Sequence, residues 1–213
     1  MTRTLSLILC GALCIGSAAA LSAAAEEYPT PSVYPVSWQF DFSNRMPKRI
    51  VVDSGKGAVA YWYLPYTVTN NTDKERLFVP VFEMVTNEGK IVRSDKDIPL
   101  KVFAAIRKQE GNKLLEPVNA VSGEIRLGES EARDSVAIWR EPAARMGSFS
   151  VFVSGLSGEA IIMKDDKGEV KKDAEGNPVI LRKTLQLNFH INGDEVYPGE
   201  DEVHTKGEEW VMR

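Results

Sequence analysis

The sequence predicts an all-β protein, an antiparallel β-sandwich with one short helix. Apolar and polar residues alternate strictly in VSWQFDF, residues 36–42. KTLQLNFHIN, residues 183–192, has the cleanest alternation after it, and this period indicates half-buried strands. Turn-forming residues separate about eight or nine such runs, which is typical of sandwiches. A helical period occurs in a single segment, DIPLKVFAAIRKQEGN, residues 97–112.

The first 25 residues have the composition of a secretory signal peptide. One charge, Arg3, precedes an apolar run from Leu5, and the run thins into small residues that end at Ala25. We therefore expect cleavage after Ala25 and export to the periplasm or the cell exterior, with no membrane span in the mature chain. An uncleaved anchor is the alternative, because the uncharged residues 4–25 are long enough to cross a bilayer.

Cleavage would leave a chain without cysteine and with a slight acidic excess. Cys10 and Cys14 both lie in the predicted signal peptide, so we expect neither disulfides nor thiol catalysis nor thiolate metal sites. Loss of Arg3 leaves 25 basic side chains of the original 26 against 30 acidic ones, a formal charge of −5. No cluster of Lys or Arg offsets this charge locally, and we expect no nucleic-acid partner.

A proline-rich segment precedes the predicted domain. Residues 26–35, EEYPTPSVYP, contain three prolines and predict an extended leader. We interpret residues 36–213 as one domain that ends in an acidic tail. Its first strand would place alternate residues inside: Val36, Trp38, Phe40 and Phe42.

The richest aromatic stretch is AVAYWYLPYTVTNNTDKE, residues 58–75. Alternation places Trp62, Leu64, Tyr66 and Val68 on one face of a strand, which we assign to the core. Tyr61 and Tyr63 then point the other way, either displayed for a ligand or packed under another element. We favour packing, because tyrosine is often partly buried with only its hydroxyl group in water.

Two prolines fall inside predicted strands. Pro65 and Pro80 lack the N–H group that a sheet ladder requires. We therefore predict that their strands run along a sheet edge or contain bulges.

The predicted helix covers about residues 98–110 and lies across the end of a sheet. Asp97 is the expected N-cap and Gly111 the expected stop. The expected helical stripe is Leu100, Phe103 and Ile106 or Arg107.

The second half of the chain predicts further strands and a long charged hairpin over about residues 160–182. The hairpin interior half-repeats, as KDDKGEV and then KKDAEGNPV, and a mobile tip is the simplest interpretation. The strand at 183–192 should point His190 outward. The expected core positions are Ile125, Leu127, Val136, Ile138, Phe149, Val151, Val153, Leu185, Leu187, Phe189 and Ile191.

The strings VTNNT, residues 68–72, and LGES, residues 127–130, resemble sequences of extracytoplasmic immunoglobulin-like domains. The resemblance covers about residues 58–155. It implies that the sandwich is of immunoglobulin-like type.

The residues present raise three possible kinds of functional site: a hydrolase site, a metal site and a carbohydrate site. A Ser-His-Asp hydrolase would need His190 or His204, the two histidines of the chain, and no Gly-x-Ser-x-Gly elbow occurs. A metal site is the second possibility, because carboxylates gather near His204: Asp194, Glu195, Glu200, Asp201 and Glu202. A solvated acidic tail explains the same residues. The third is a carbohydrate site that uses Tyr61 and Tyr63 as a stacking platform.

Export and the lack of a recognisable catalytic motif favour one functional class. We expect a non-catalytic binding or interaction module of the cell envelope, without a cofactor, whose protein or glycan partner lies outside the cytoplasm. Carbohydrate binding, metal binding by the acidic tail, and a hydrolase with an unrecognised site are the alternatives.

Overall fold

A computed structural model describes residues 28–53, 55, 57–143, 146–192 and 202–213. The predicted signal peptide lies outside these residues. The described chain is mostly β-sheet, which confirms the predicted all-β class.

In chain order the strands are β1 (Asp41–Asn44), β2 (Lys48–Asp53), β3 (Ala58–Thr69), β4 (Arg76–Phe78), β5 (Val81–Thr86), β6 (Ile91–Arg93), β7 (Glu116–Pro117), β8 (Gly123–Ile125), β9 (Arg133–Arg140), β10 (Ser148–Ser154), β11 (Ala160–Ile162), β12 (Ile180–Ile191) and β13 (Val203–Met212). The helices are α1 (Leu100–Glu110), a single turn α2 (Val118–Val121) and a 3₁₀ turn (Glu129–Glu131).

The first sheet is built around β3. One side of β3 pairs with β1 and β2 in succession, the other pairs with β9, and β7 adds a short parallel pairing to β9. Pro65 therefore lies in a central strand and not at an edge as predicted. On this side of β3, β1 pairs with residues 66–69 and β2 with residues 58–63, so Pro65 lies between the two pairings, opposite Arg45. The missing N–H group of Pro65 is tolerated there because no ladder hydrogen bond requires it.

The second sheet runs in the order β6, β5, β10, β12, β13, and all of these pairings are antiparallel. β11 pairs with the first residues of β12. β4 and β8 form a two-stranded sheet of their own, and it adds Phe78 and Ile125 to the shared core.

The two sheets share one apolar interior, as a sandwich requires. The inner face of β3 carries Trp62, Leu64, Tyr66 and Val68, each at most 3 % exposed, as the alternation predicted. Residues of the second sheet complete this cluster: Phe82, Met84, Phe149, Val151, Val153, Leu185, Leu187, Phe189 and Ile191. Phe40 is buried among them, and Trp38 packs against their edge.

Two expected core positions, and one position of the expected helical stripe, are wrong. Val36 is 66 % exposed, because β1 begins only at Asp41. Leu127 is 46 % exposed, in the loop after β8. On α1, Leu100 is 88 % exposed, while Val102 and Ile106 are buried.

Helix α1 confirms the predicted segment but begins differently. Pro99 occupies the N-cap position without a side-chain hydrogen bond, and Asp97, the expected cap, adopts a left-handed conformation with φ 57°. Gly111 ends the helix with φ 64°, as predicted, because glycine adopts the left-handed C-cap conformation without steric cost. Among the residues that the structure describes, no helix is long and apolar enough to cross a membrane.

The charged segment pairs at residues 160–162 and 180–182, which confirms the stem of the predicted hairpin. Its interior is ordered by an eight-residue repeat. The Oδ1 atom of Asp165 accepts two backbone N–H groups of one turn, and Oδ1 of Asp173 does the same in the next. Met163, Lys171 and Val179 close a ring of backbone hydrogen bonds between the stem and the two turns.

Asn70 joins the two strings that carry the immunoglobulin-like resemblance. Its side chain is fully buried, and Nδ2 donates to the carbonyl oxygen of Ile125 over 2.7 Å. Its own carbonyl oxygen accepts the backbone N–H of Gly128 over 2.9 Å. The end of β3 is thereby tied to the loop that follows β8.

Candidate ligand-binding groove

The two tyrosines proposed as a stacking platform are buried. Tyr61 is 5 % exposed and Tyr63 0 %, because α1 covers this face of the first sheet. They pack there with Val102 and Ile106 of the helix. The platform interpretation is therefore corrected, since neither ring presents a face to a sugar, and packing is the role that the structure assigns to both.

Tyr63 also takes part in a charged cluster at the end of α1. Its hydroxyl group donates a 2.8 Å hydrogen bond to Oε1 of Glu110. Lys48 and Arg45 each place a charged nitrogen 3.0 Å from the same carboxylate, whose side chain is 1 % exposed. Burial alone would raise the pKa of Glu110, but the hydrogen bonds from Lys48 and Tyr63 and the charge of Arg45 outweigh it and lower the pKa.

The predicted metal ligands divide between described and undescribed residues. Asp194, Glu195, Glu200 and Asp201 lie outside the described residues. Glu202 is exposed just before β13, and His204 lies on that strand. Among the residues that the structure places, no group of three or more His, Cys, Asp or Glu side chains could hold a metal ion.

An apolar concavity lies on the outer face of the second sheet. Residues Tyr28–Pro31 of the leader form one side of it, and the sheet forms its floor. We call this surface the leader groove, and its volume is about 570 Å³. The lining residues on the sheet are Val85, Ile91, Phe152, Gln186, Glu209, Trp210, Val211, Met212 and Arg213.

Strand register explains why these side chains meet. Phe152 alternates with the buried Val151 and Val153 and must therefore point away from the core. Gln186 is the cross-strand partner of Phe152 on one side and of Glu209 on the other. The floor thus combines apolar side chains with a polar row.

Arg213 closes one end of the floor. Its guanidinium carbon lies 4.3 Å from the centroid of the Phe152 ring, and its Nη1 atom lies 2.9 Å from Oε2 of Glu83. The backbone of Arg213 exchanges two hydrogen bonds with Arg182 of β12. A cation over an aromatic face, paired with a carboxylate, holds the ring in place.

Next to this groove, the leader is attached by a hydrogen bond to the carboxylate of a buried ion pair. The backbone N–H of Ser32 donates to Oε1 of Glu159 over 2.7 Å, and Oε2 of Glu159 lies 3.3 Å from Nζ of Lys183. Burial alone would raise the pKa of Glu159, but the hydrogen bonds from Ser32 and Lys183 outweigh it and lower the pKa. This attachment holds the leader beside the sheet without any strand pairing by residues 28–32.

Beyond the groove, the same face becomes polar. The Oδ1 atom of Asn188 accepts hydrogen bonds from Ser150 over 2.7 Å and from Gln186 over 2.8 Å. Lys206 donates from Nζ to the hydroxyl oxygen of Ser148 over 3.1 Å. The apolar area is therefore bounded, as expected for a binding site and not for a general apolar surface.

Part of this groove can be predicted from the sequence. The alternation in SFSVFVS already places Phe152 outside, and EEYPTPSVYP already indicates an extended leader. No local pattern shows that the leader returns to the outer face of β10 and β13. No protein-family model, curated protein or solved structure matches this chain.

Proposed function

We propose that this chain is an exported binding protein of the cell envelope, an immunoglobulin-like sandwich that holds an extended apolar segment of a partner protein in the leader groove. Export is supported by the composition of residues 1–25, and the immunoglobulin-like class by the resemblance of residues 58–155. The observation that carries the proposal is an apolar sheet face left open beside the chain's own proline-rich segment.

The dimensions and polarity of the groove suit a peptide. Its volume falls in the range of ligand sites, about 300–1,000 Å³. Ile91 is 57 % exposed on its floor, so apolar surface is available to a partner. The floor crosses several strands, and Glu209 and Arg213 supply charge toward its edge. An extended segment could cover the floor and pair its polar groups at the margin.

The leader indicates which peptide chemistry this face accepts. Pro29 and Pro31 restrict their own backbone angles, so the segment loses little conformational entropy when it lies on the sheet. Aromatic floors commonly bind such proline-rich, extended segments. A partner segment of similar composition would use the part of the floor that the leader leaves open.

The groups that line the groove support binding more than turnover. Glu209 is the one carboxylate among the described lining residues, and the one guanidinium, Arg213, is already paired with Glu83. Acyl transfer and related reactions need a nucleophile next to a base. The described lining residues include no histidine or cysteine that could serve as one.

The test uses the full chain against a library of random dodecapeptides displayed on phage. Enriched sequences, and the synthetic peptide EEYPTPSVYP, are then measured by fluorescence anisotropy against the wild type and Phe152→Ala. We expect apolar, proline-containing sequences to be enriched. Truncation of this ring should weaken their binding roughly 10- to 100-fold.

Leu114→Ala is the matched control, because Leu114 is 76 % exposed and does not line the groove. It should bind the same peptides as tightly as the wild type does. Failure to enrich any peptide, or equal affinity of wild type and Phe152→Ala, would exclude the groove as a peptide site.

A further inference from the structure

The chain contains two histidines, and the fold makes them direct neighbours. His190 on β12 and His204 on β13 are cross-strand partners, with ring centroids 5.5 Å apart and ring planes inclined by 38°. Of the residues that join the two strands, 193–201 lie outside the described residues, and the register of the strands brings the two histidines together. Alternation next to the inward Phe189 and Ile191 places both imidazoles on the outer face of the second sheet.

Both histidines lie in hydrogen-bonded strands of the second sheet. β12 pairs with β10 on one side and β13 on the other, and Ser148 is the partner of His190 on β10. A β-bulge between Asn188 and Phe189 shifts the register just beyond the pair. Such bulges redirect side chains and are common next to functional sites.

One ring nitrogen in this pair has no partner. Nδ1 of His190 is buried and makes no hydrogen bond to any residue that the structure describes. Buried polar nitrogens are normally paired, because their loss of water is costly. A ligand between the two rings would supply the missing interaction.

We propose that His190 and His204 form a two-histidine site for a divalent late transition metal, with Cu²⁺ bound most tightly and Zn²⁺ less so. A metal–imidazole nitrogen distance of about 2.0–2.1 Å places two rings that share one metal with their centroids roughly 5–6 Å apart. The observed separation of 5.5 Å falls in that range. Imidazole nitrogen suits copper and zinc and does not suit calcium or magnesium.

The surroundings predict a site of moderate affinity. Lys206 holds its ammonium group on Ser148, beside His190, and this positive charge opposes a cation. Glu202, two residues before His204, is exposed and supplies an opposing negative charge nearby in the chain. Two protein ligands leave further coordination positions to water, so the site stays open.

The metal site is independent of the leader groove, and its test can fail alone. The full chain, freed of metal by chelator and dialysis, is titrated with CuCl₂, ZnCl₂ and CaCl₂ by calorimetry. We expect one Cu²⁺ per chain. His190→Gln and His204→Gln should each weaken that binding at least 10-fold, since one ring binds less tightly than a chelate of two. The double variant should bind Cu²⁺ more weakly still, because it keeps neither imidazole.

Electron paramagnetic resonance of the Cu²⁺ complex gives a second readout. The wild type should show nitrogen ligands that disappear in the double variant, whose far- and near-ultraviolet circular dichroism should remain unchanged. Cu²⁺ binding that persists equally in His190→Gln overturns the proposal. Cu²⁺ binding that is lost in Glu202→Gln but retained in His204→Gln also overturns it, in favour of an acidic-tail site.

Discussion

Tyr63 and Glu110 join the first sheet to the end of α1 through a hydrogen bond of 2.8 Å between the phenol and the carboxylate. This contact decides the role of the aromatic stretch in β3. One row of rings fills the sandwich, and the other lies beneath a helix whose last residue is fastened by charge. Burial, together with this bond to Glu110, raises the pKa of Tyr63 well above its ordinary value.

The ion pairs and the hydrogen bond of Glu110 should make the stability of the protein depend on pH. The pKa of Glu110 is lower in the folded state than in the unfolded state. Its contribution to the free energy of unfolding is therefore fully present above the unfolded-state pKa and is lost as the pH falls through the folded-state pKa. We expect Glu110→Gln to reduce the free energy of unfolding at pH 7 by about 1.5–3 kcal/mol, since Lys48, Arg45 and Tyr63 lose a charged acceptor. The difference from wild type should shrink between about pH 5 and pH 3.

Urea denaturation at pH 7, 5 and 3.5 measures that difference. Glu124→Gln is the control, because Glu124 is exposed on β8 and should change little at any pH. A difference that stays constant across the three pH values would show that the charge of Glu110 does not contribute.

Asp95 should destabilise the protein at neutral pH. Burial raises its pKa to about 6, and Oδ2 is buried without a partner among the described residues. A raised folded-state pKa means that its stabilising contribution is complete below the unfolded pKa and is lost as the pH rises through about 6. We expect Asp95→Asn to stabilise the protein by roughly 1–2 kcal/mol at pH 7.5 and to have little effect at pH 4.

The backbone provides a matched control for that substitution. Asp95 and Asp97 both adopt left-handed conformations, with φ 59° and 57°, and asparagine tolerates this region well. Asp97 is exposed, so Asp97→Asn should leave the urea midpoint nearly unchanged at both pH values. Loss of stability in Asp95→Asn at pH 7.5 would contradict the assignment.

Gly155 should be irreplaceable, for a reason separate from its backbone angle. Its φ is 87°, and a Cβ atom would lie 2.5 Å from the carbonyl oxygen of Val79. Gly176 has nearly the same φ, 86°, but open space around it. We expect Gly176→Ala to cost about 1–2 kcal/mol from the left-handed conformation alone, and Gly155→Ala to cost several kcal/mol more because backbone must move.

Thermal unfolding followed by circular dichroism separates the two effects, since both variants share the conformational strain. Equal melting temperatures for the two variants would show that the loop at Val79 moves without cost.

Local patterns in the sequence determined the class of structure and the orientation of many side chains. Alternation placed Trp62 and Leu64 inside, and the same rule placed Phe152 and His190 outside, because successive side chains in a strand point to opposite faces. Gly111 marked the end of the helix, since a left-handed C-cap favours glycine. These properties depend on residues a few positions apart.

Tertiary structure alone decided what lies on each outer face. Alternation turned Tyr63 away from the core, but only the packing of α1 buried it. It likewise exposed Phe152, and only the path of the leader made that surface a groove. His190 and His204 became neighbours through the register of β12 and β13. Each of these outcomes depends on contacts between residues distant in sequence, which a periodic pattern does not encode.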